Sequence, residues 1–176
     1  MRRLFLFTIL LSHFLIRAAA AQPADTVTAV RPGTMFGQVS GNFTTFLDDG
    51  PIDHLGVGSA LRVYLTPRLS IGPELVYLIG PGNDRDVLLF ANLTVDLKRP
   101  MLGQVGRVEP YLVAGVGLLL HSGSFGSYES SNVSRTFSWG GGARVWVARR
   151  VYIASDVRLG WTPNIRVTGT VGVIGR

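Results

Sequence analysis

The chain has 176 residues, of which 47% are hydrophobic, 16% are charged and none is cysteine. This length suits one domain or one small barrel, and the composition excludes disordered and disulfide-rich proteins. The formal net charge of +6 falls to +3, with 14 basic and 11 acidic residues, if a leader containing Arg2, Arg3 and Arg17 is removed. So small a net charge, with no large basic cluster, does not indicate a surface that binds nucleic acid.

The first 21 residues have the pattern of a secretory signal peptide. Arg2 and Arg3 precede an apolar run over residues 4–16, which is short for a membrane-spanning helix. The small residues of AAAAQ then suit cleavage after Ala21. We expect residues 1–21 to be a cleaved leader, residues 22–33 a short N-terminal segment and residues 34–176 the folded domain. A retained anchor is the alternative.

After the leader, the sequence repeats a pattern typical of β-strands. Eight segments alternate apolar with small or polar residues and are followed by turn residues; they cover residues 34–47, 55–65, 69–79, 87–97, 109–121, 136–148, 150–161 and 165–175. Most connections are tight at one end and longer and more polar at the other. This pattern predicts an all-β fold, an eight-stranded antiparallel up-and-down transmembrane β-barrel.

The two faces of each predicted strand differ in chemistry. Around residues 143–161, ARVWVARRVYIASDVRLGW, Val145 and Val157 lie on one face while Arg144, Asp156 and Arg158 lie on the other. A soluble lipocalin-like barrel would point its bulky aliphatics inward and cover its exterior with charges, but here the charges are too few. Because a lipid-facing charge at the bilayer midplane costs roughly 2–4 kcal/mol, we expect the charged face to line the lumen.

The charged residues of this inner face are expected to pair with one another. An eight-stranded barrel has an interior just wide enough for side chains to fill, and an unpaired buried charge costs several kcal/mol. Glycines on the same face would make room for long arginines, and large aliphatic side chains are almost absent from it. The predicted lumenal network consists of Arg62, Glu74, Asp96, Arg144, Asp156, Arg158 and Arg166.

Four stretches carry a family resemblance: LSIGPELVYLIGP, EPYLVAGVGLLL, RVYIASDVRLGW and the closing IRVTGTVGVIGR. They resemble the small OmpA-like or opacity-type outer-membrane β-barrel proteins of Gram-negative bacteria, over residues 34–176. The resemblance implies a barrel in the bacterial outer membrane with both termini in the periplasm. The implied partners are outer-membrane lipids, lipopolysaccharide and the β-barrel assembly machinery. Such barrels usually end in an aromatic residue, whereas this chain ends in VIGR.

Several aromatic residues are candidates for girdles at the two membrane interfaces, with ordinary lipid-facing bulk as the alternative. They are Phe43, Tyr77, Phe137, Trp139 and Trp161.

Charged residues in the connections have two interpretations each. The acidic ones could hold Ca²⁺ or bridge divalent ions to lipopolysaccharide, but no EF-hand spacing is present and we interpret them as solvated turn residues: Asp48, Asp49, Asp53, Asp84 and Asp86. No metal or cofactor site is assigned. The basic ones, near the periplasmic ends, suit lipid phosphates or solvated turns equally: Arg68, Lys98, Arg99, Arg107, Arg149 and Arg150.

The remaining chemistry-bearing group is His121 with Ser122, Ser124 and Glu129. A nucleophilic serine needs a base within hydrogen-bond reach and an acid that orients the base. These residues fall in a predicted Ser/Gly-rich loop, and we interpret them as ordinary polar loop residues. The predicted function is therefore a non-enzymatic, monomeric outer-membrane protein with a structural or surface-interacting role. A narrow channel for small solutes and a lipid A-modifying enzyme are the alternatives.

Overall fold

The computed structural model describes residues 28–47, 50–125 and 128–175, and it confirms the predicted all-β barrel. In those three ranges, no helix is long and apolar enough to cross a bilayer. The strands are β1 Thr28–Ala29, β2 Met35–Phe46, β3 Ile52–Tyr64, β4 Leu69–Ile79, β5 Arg85–Asp96, β6 Met101–Leu102, β7 Val108–Phe125, β8 Tyr128–Trp146, β9 Val151–Trp161 and β10 Asn164–Ile174. Eight antiparallel strands close in the order β10-β2-β3-β4-β5-β7-β8-β9, while β1 and β6 form a separate two-stranded sheet.

The two ends of the barrel have different connections. At the lower end, residues 65–68, 97–107 and 147–150 join β3 to β4, β5 to β7 and β8 to β9. At the upper end, residues 47–51, 80–84, 126–127 and 162–163 join the other neighbouring strands. Every strand of the barrel is paired on both sides, which is how a sheet can satisfy its backbone groups without water.

The upper end carries a long hairpin that the sequence pattern placed in a loop. Strands β7 and β8 remain paired up to Phe125 and Tyr128. Their other neighbours stop earlier, because β5 pairs with β7 only up to Ser122 and β9 pairs with β8 only up to Phe137. The predicted Ser/Gly-rich loop is therefore wrong: most of it is a β-ladder above the rim. Ser131, Asn132 and Val133 are exposed at consecutive positions, so both faces of β8 meet solvent there and the apolar alternation is absent.

The lower end is capped by residues 28–33, which belong to the short N-terminal segment. Thr28 pairs with Leu102 and Ala29 with Met101, so β1 joins β6 within the connection after β5. The Gly33 amide donates to the Tyr64 carbonyl oxygen at 2.7 Å, and its φ of 83° is one that glycine adopts without strain. This path brings the fully buried Val30 beneath the barrel.

The outer surface is a broad band of exposed aliphatic side chains. Val57, Val116 and Val157 are each at least half exposed, although they lie in central parts of their strands. Such a continuous apolar surface is far larger than a soluble monomer exposes. The alternation therefore faces the way that the sequence predicted, with the aliphatic residues outside.

Two residues beside the β8–β9 turn depart from that prediction. Continued through residues 150 and 151, the alternation of β9 predicts that Val151 faces lipid and Arg150 faces the lumen, but Val151 is buried and Arg150 is exposed. Residues 147–150 form a tight turn, in which the Val147 amide donates to the Val151 carbonyl oxygen at 3.0 Å. The strict alternation of faces does not continue through a turn, so it fails at both positions.

Replacing Val157 by arginine should destabilise the barrel by about 2–4 kcal/mol, because a guanidinium would enter hydrocarbon near the midplane. Guanidinium-induced unfolding from lipid vesicles, followed by tryptophan fluorescence, measures this change. The matched control is Val157→Ile, which should stay within about 0.5 kcal/mol of the parent. Equal stability of the Val157→Arg variant would mean that this side chain does not face lipid.

Candidate functional site

The interior of the barrel is filled in layers, of which the lowest is aromatic. We call Val30, Phe36, Tyr64, Trp146 and Tyr152 the lower plug; all five are essentially buried. The Phe36 ring lies 5.3 Å from the Tyr64 ring and 5.7 Å from the Tyr152 ring, in edge-to-face geometry. Such pairs pack favourably beyond their buried area. The lower plug therefore closes the barrel at the end where the chain enters it.

Above the lower plug lies the charged layer, and its first group centres on Arg144. This side chain is fully buried and forms an ion pair with Asp96. Its Nε also lies 3.7 Å from a Glu109 carboxylate oxygen, and its Nη1 donates to the Tyr64 hydroxyl at 2.8 Å. The Tyr64 hydroxyl in turn donates to Asp96 at 2.6 Å. One arginine thus links three strands to the lower plug.

The second group of the charged layer centres on Glu74. Its Oε2 lies 2.8 Å from Nη1 of Arg158 and 3.2 Å from Nη2 of Arg166. The Asn92 side-chain amide donates to the same oxygen at 2.6 Å. Arg158 also donates from Nε to Asp156 at 2.8 Å. Two arginines and two carboxylates are therefore held together by charge-assisted hydrogen bonds.

Tyr111 joins the two groups. Its hydroxyl donates to Asp156 at 2.9 Å. The guanidinium carbons of Arg62 and Arg144 lie 5.5 and 5.4 Å from its ring centroid, within the range of cation–π attraction. The aromatic ring thus attracts both guanidinium groups, while its hydroxyl reaches a carboxylate of the second group.

The structure places all seven predicted lumenal residues inside the barrel. It brings six of them into ion pairs with one another: Glu74, Asp96, Arg144, Asp156, Arg158 and Arg166. Arg62 is buried too, and its guanidinium lies over the Tyr111 ring. Sequence reasoning missed Glu109, which shares the inward-facing parity of Tyr111 and is fully buried.

A second apolar layer lies above the charged layer and corrects one expectation. The inner face was expected to lack large aliphatic side chains, yet Val76, Leu78, Leu88, Phe90 and Leu119 form a buried cluster there, and Phe46 packs against it. Apolar side chains at these heights pack together and separate the charges below from the upper end. We call this cluster the upper plug.

A group of ionisable side chains sits at the rim, one inward-facing row above the upper plug. We call His54, Asp84, Asp86 and His121 the rim cluster. His54 Nε2 lies 3.0 Å from Asp84 Oδ2 and 3.2 Å from Asp86 Oδ2. His121 Nδ1 lies 2.8 Å from Asp86 Oδ1 and 3.4 Å from Asp84 Oδ1. The two aspartates are thus shared by two imidazoles.

The rim cluster overturns the interpretation of Asp84 and Asp86 as solvated turn residues. Asp86 is 2% exposed, as is His54. Of the other predicted acidic loop residues, Asp53 is exposed and accepts a hydrogen bond from the Thr45 hydroxyl at 2.7 Å, whereas Asp48 and Asp49 fall outside the described residues. His54 was missed, although it shares the inward parity of Arg62.

The alternative His–Ser–Glu group is not assembled among the side chains that the structure describes. Ser122 follows His121 in β7, so its side chain leaves the opposite face of the sheet. His121 instead directs Nδ1 at Asp86. Ser124 and Glu129 lie outside the described side chains.

The five aromatic candidates are all exposed on the outer surface. Phe137 and Trp161 stack at 5.9 Å with an interplanar angle of 10°. Trp139 lies one outward-facing row lower in β8, and Phe43 and Tyr77 lie in the upper halves of β2 and β4. The structure therefore gathers these five residues towards the upper end and not into two separate girdles.

The basic connection residues lie at the lower end, outside the barrel wall. Arg68, Lys98, Arg99 and Arg150 are exposed, and Arg107 and Arg149 are partly buried. Arg107 donates to the Gln104 side chain at 2.7 Å. These residues therefore lie in the connections, as the sequence predicted, although alternation alone would turn Arg150 inward.

Little space remains inside the charged layer. A polar cavity of about 20 Å³ lies against Arg62, Glu74, Asp156 and Arg158. This is roughly the volume that one water needs, and it is too small for a hydrated ion.

The fold is shared with solved bacterial barrels, although no family model and no curated protein matches the chain. The N-terminal β-barrel domain of Pseudomonas aeruginosa OprF matches with a TM-score of 0.63 at 10% identity, covering 85% of this chain and all of that domain. Neisserial surface protein A matches with a TM-score of 0.64 at 14% identity, covering 80% of this chain and 95% of that protein.

A third solved structure is Ail, the attachment invasion locus protein of Yersinia pestis. It matches with a TM-score of 0.56 at 12% identity, covering 81% of this chain and 97% of that protein. At such low identities the likeness shows the fold alone. That fold is the small eight-stranded outer-membrane β-barrel that the sequence resembles.

Replacing Glu74 by glutamine should lower the free energy of unfolding by about 3–5 kcal/mol, because it leaves Arg158 and Arg166 buried without their shared carboxylate. Denaturant titration in lipid vesicles measures the loss. The control is Asp53→Asn, which removes an exposed carboxylate and should change stability by no more than about 0.5 kcal/mol. Equal, small losses in both variants would show that the Glu74 ion pairs do not stabilise the fold.

Proposed function

We propose that this chain is a non-enzymatic, monomeric protein of the bacterial outer membrane, exported by its N-terminal leader, with a structural or surface-interacting role. The observation that carries the proposal is the combination of a continuous apolar exterior with an interior filled by paired charges. A barrel of this kind is stable only where hydrocarbon covers its outside. Its interior supports neither a solute path nor a large ligand site.

The orientation that fits this role has the lower end in the periplasm and the upper end outside the cell. Both ends of the barrel sequence, Met35 in β2 and Ile174 in β10, lie at the lower end. The family resemblance implies the same arrangement. Short periplasmic turns and longer extracellular loops are also usual in such barrels. The basic residues of the lower end would then meet inner-leaflet lipid phosphates.

The surface-interacting part of the proposal rests on the β7–β8 hairpin. Beyond Phe137, the β8 strand has β7 as its neighbour on one side while β9 has ended on the other. Ser131, Asn132 and Val133 are exposed there. A free strand edge with polar side chains can pair with or contact a partner above the membrane. Two of the structural neighbours are described as a surface protein and as an attachment protein, which is consistent with such a role.

A channel role is disfavoured by the filling of the lumen. A solute would have to pass the lower plug, the ion-paired charged layer and the upper plug, whose side chains are buried against one another. A lipid-modifying role is disfavoured because His121 engages Asp86, while Ser122 faces away from it. Neither alternative gains support from a specific contact.

Purified protein extracted from outer membranes should migrate faster on a detergent gel before boiling than after it, because the closed barrel resists detergent. The same preparation in planar bilayers should give no steady conductance in the nanosiemens range, because the lumen is filled. A general porin reconstituted in parallel is the positive control for insertion. Steady channels from heat-modifiable protein would contradict a sealed lumen, and absence of the mobility shift would contradict the membrane barrel itself.

A further inference from the structure

The geometry points to a binding site for one divalent transition-metal ion at the upper rim, with His54, Asp84 and Asp86 as ligands and His121 as the residue that orients the carboxylates. One nitrogen of His54 and one oxygen of each aspartate all lie within 4.8 Å of one another. These residues come from β3, the β4–β5 connection and β5. The site does not use the lumenal charges. A cation bound there would lie at the upper end of the barrel, to which the proposed surface role is assigned.

His54 directs its Nε2 at the two carboxylates. Its Nδ1 lies 3.4 Å from the Ile52 carbonyl oxygen, which can accept only from a protonated Nδ1. In the neutral ring, Nε2 is then an acceptor, yet it faces Asp84 and Asp86 oxygens at 3.0 and 3.2 Å. Three acceptors this close repel one another unless a proton on Nε2 or a metal cation lies between them. Imidazoles that bind metals are commonly fixed by such a contact to a backbone carbonyl.

Asp84 supplies a second, independent observation. Its Oδ1 is buried and accepts no hydrogen bond in the described structure. A buried carboxylate oxygen without a donor is costly. Only His121 approaches it, at 3.4 Å. The two aspartates together bring two negative charges to a place where their carboxylates contact two imidazoles, whereas the Arg85 guanidinium donates to the Asp84 main-chain carbonyl oxygen at 2.6 Å.

The spacing of the donor atoms suits a small divalent ion. The Zn–N and Zn–O distances of protein sites are about 2.0–2.2 Å, and a tetrahedron of that radius has edges of roughly 3.3–3.6 Å. The His54–Asp84 and His54–Asp86 distances of 3.0 and 3.2 Å need only a small expansion to reach that value. Three protein ligands leave one position for water or an anionic oxygen.

The surroundings hold the ligands in place. A side-chain carbon added at Gly80 would collide with the His54 ring, so the glycine leaves the space that the imidazole occupies. The Phe46 ring packs edge-on against His54 at 5.0 Å. Asp86 and His121 are directly opposite each other on β5 and β7. The upper plug lies beneath and excludes water from that side, while the partly exposed His121 and Asp84 leave the site open from above.

The donor set favours a zinc-like ion over calcium. Imidazole suits Zn²⁺, Ni²⁺, Cu²⁺ and Fe²⁺, whereas Ca²⁺ takes six to eight oxygen ligands. A single buried histidine among so few oxygens would serve Ca²⁺ poorly. The site would pin β3, the β4–β5 connection and β5 together beside the base of the projecting hairpin.

Zinc binding to the full chain, folded in detergent micelles and freed of metal with a chelator, tests the proposal. Isothermal titration should show one Zn²⁺ per chain and much weaker binding of Ca²⁺. His54→Gln and Asp86→Asn should weaken Zn²⁺ binding at least a hundredfold, and His121→Ala should weaken it by about 10–100-fold, as loss of an orienting residue does. Co²⁺ should give visible absorption bands in the parent that His54→Gln abolishes.

The control variant is Asp53→Asn, an exposed acid at the same end, which should bind Zn²⁺ as the parent does. The heat-dependent gel shift reports separately whether each variant is a folded barrel, and Asp84→Asn replaces any variant that is not. Zinc binding that is absent from the parent, equal in His54→Gln or weaker than Ca²⁺ binding would overturn the site. None of these results would bear on the membrane barrel.

Discussion

The structure depends on one constraint: charges placed inside an eight-stranded barrel have too little space to be hydrated and must neutralise one another. Arg144 meets Asp96 and Glu109, while Glu74 meets Arg158 and Arg166. Pairs of this kind do not make the fold more stable than an apolar core would, because their desolvation offsets much of their attraction. The loss of any single partner from these ion pairs is strongly destabilising, because it leaves the other charge buried and unpaired. The ion pairs therefore favour one arrangement of the strands over others. The apolar plugs above and below keep water away from these pairs.

The same constraint explains how far the sequence predicts the fold. Alternation alone places Arg144, Asp156 and Arg158 on one face, and the cost of a charge in lipid decides that this face is inside. Alternation cannot say which charge meets which, because partners depend on the stagger between strands. Arg144 on β8 reaches Asp96 on β5, a pairing that no spacing within either strand reveals. Arg62 illustrates this limit, because alternation places it inside the barrel but does not predict that its guanidinium lies over an aromatic ring.

The remaining differences arise where the environment of a strand changes. The β7–β8 hairpin continues above the rim, where both faces of β8 meet water at residues 131–133, so its sequence loses the apolar alternation and resembles a loop. The inner face becomes apolar at Val76 and Leu88 because side chains there meet one another and not the charged layer. The inward position of His54 could have been predicted, because His54 lies an even number of residues from Arg62 in the same strand. Its meeting with Asp84 and His121 could not, because three strands and a turn bring the group together.

The central claim is that aliphatic side chains touch lipid while charged ones face the lumen. Because the chain has no cysteine, single cysteines at Val157 and Thr170 can carry nitroxide spin labels in vesicle-embedded protein. We expect the label at Val157 to collide freely with oxygen dissolved in the bilayer. The label at Thr170, which borders the interior cavity, should be immobile and shielded from it. A shielded label at Val157 together with an oxygen-exposed label at Thr170 would contradict the account.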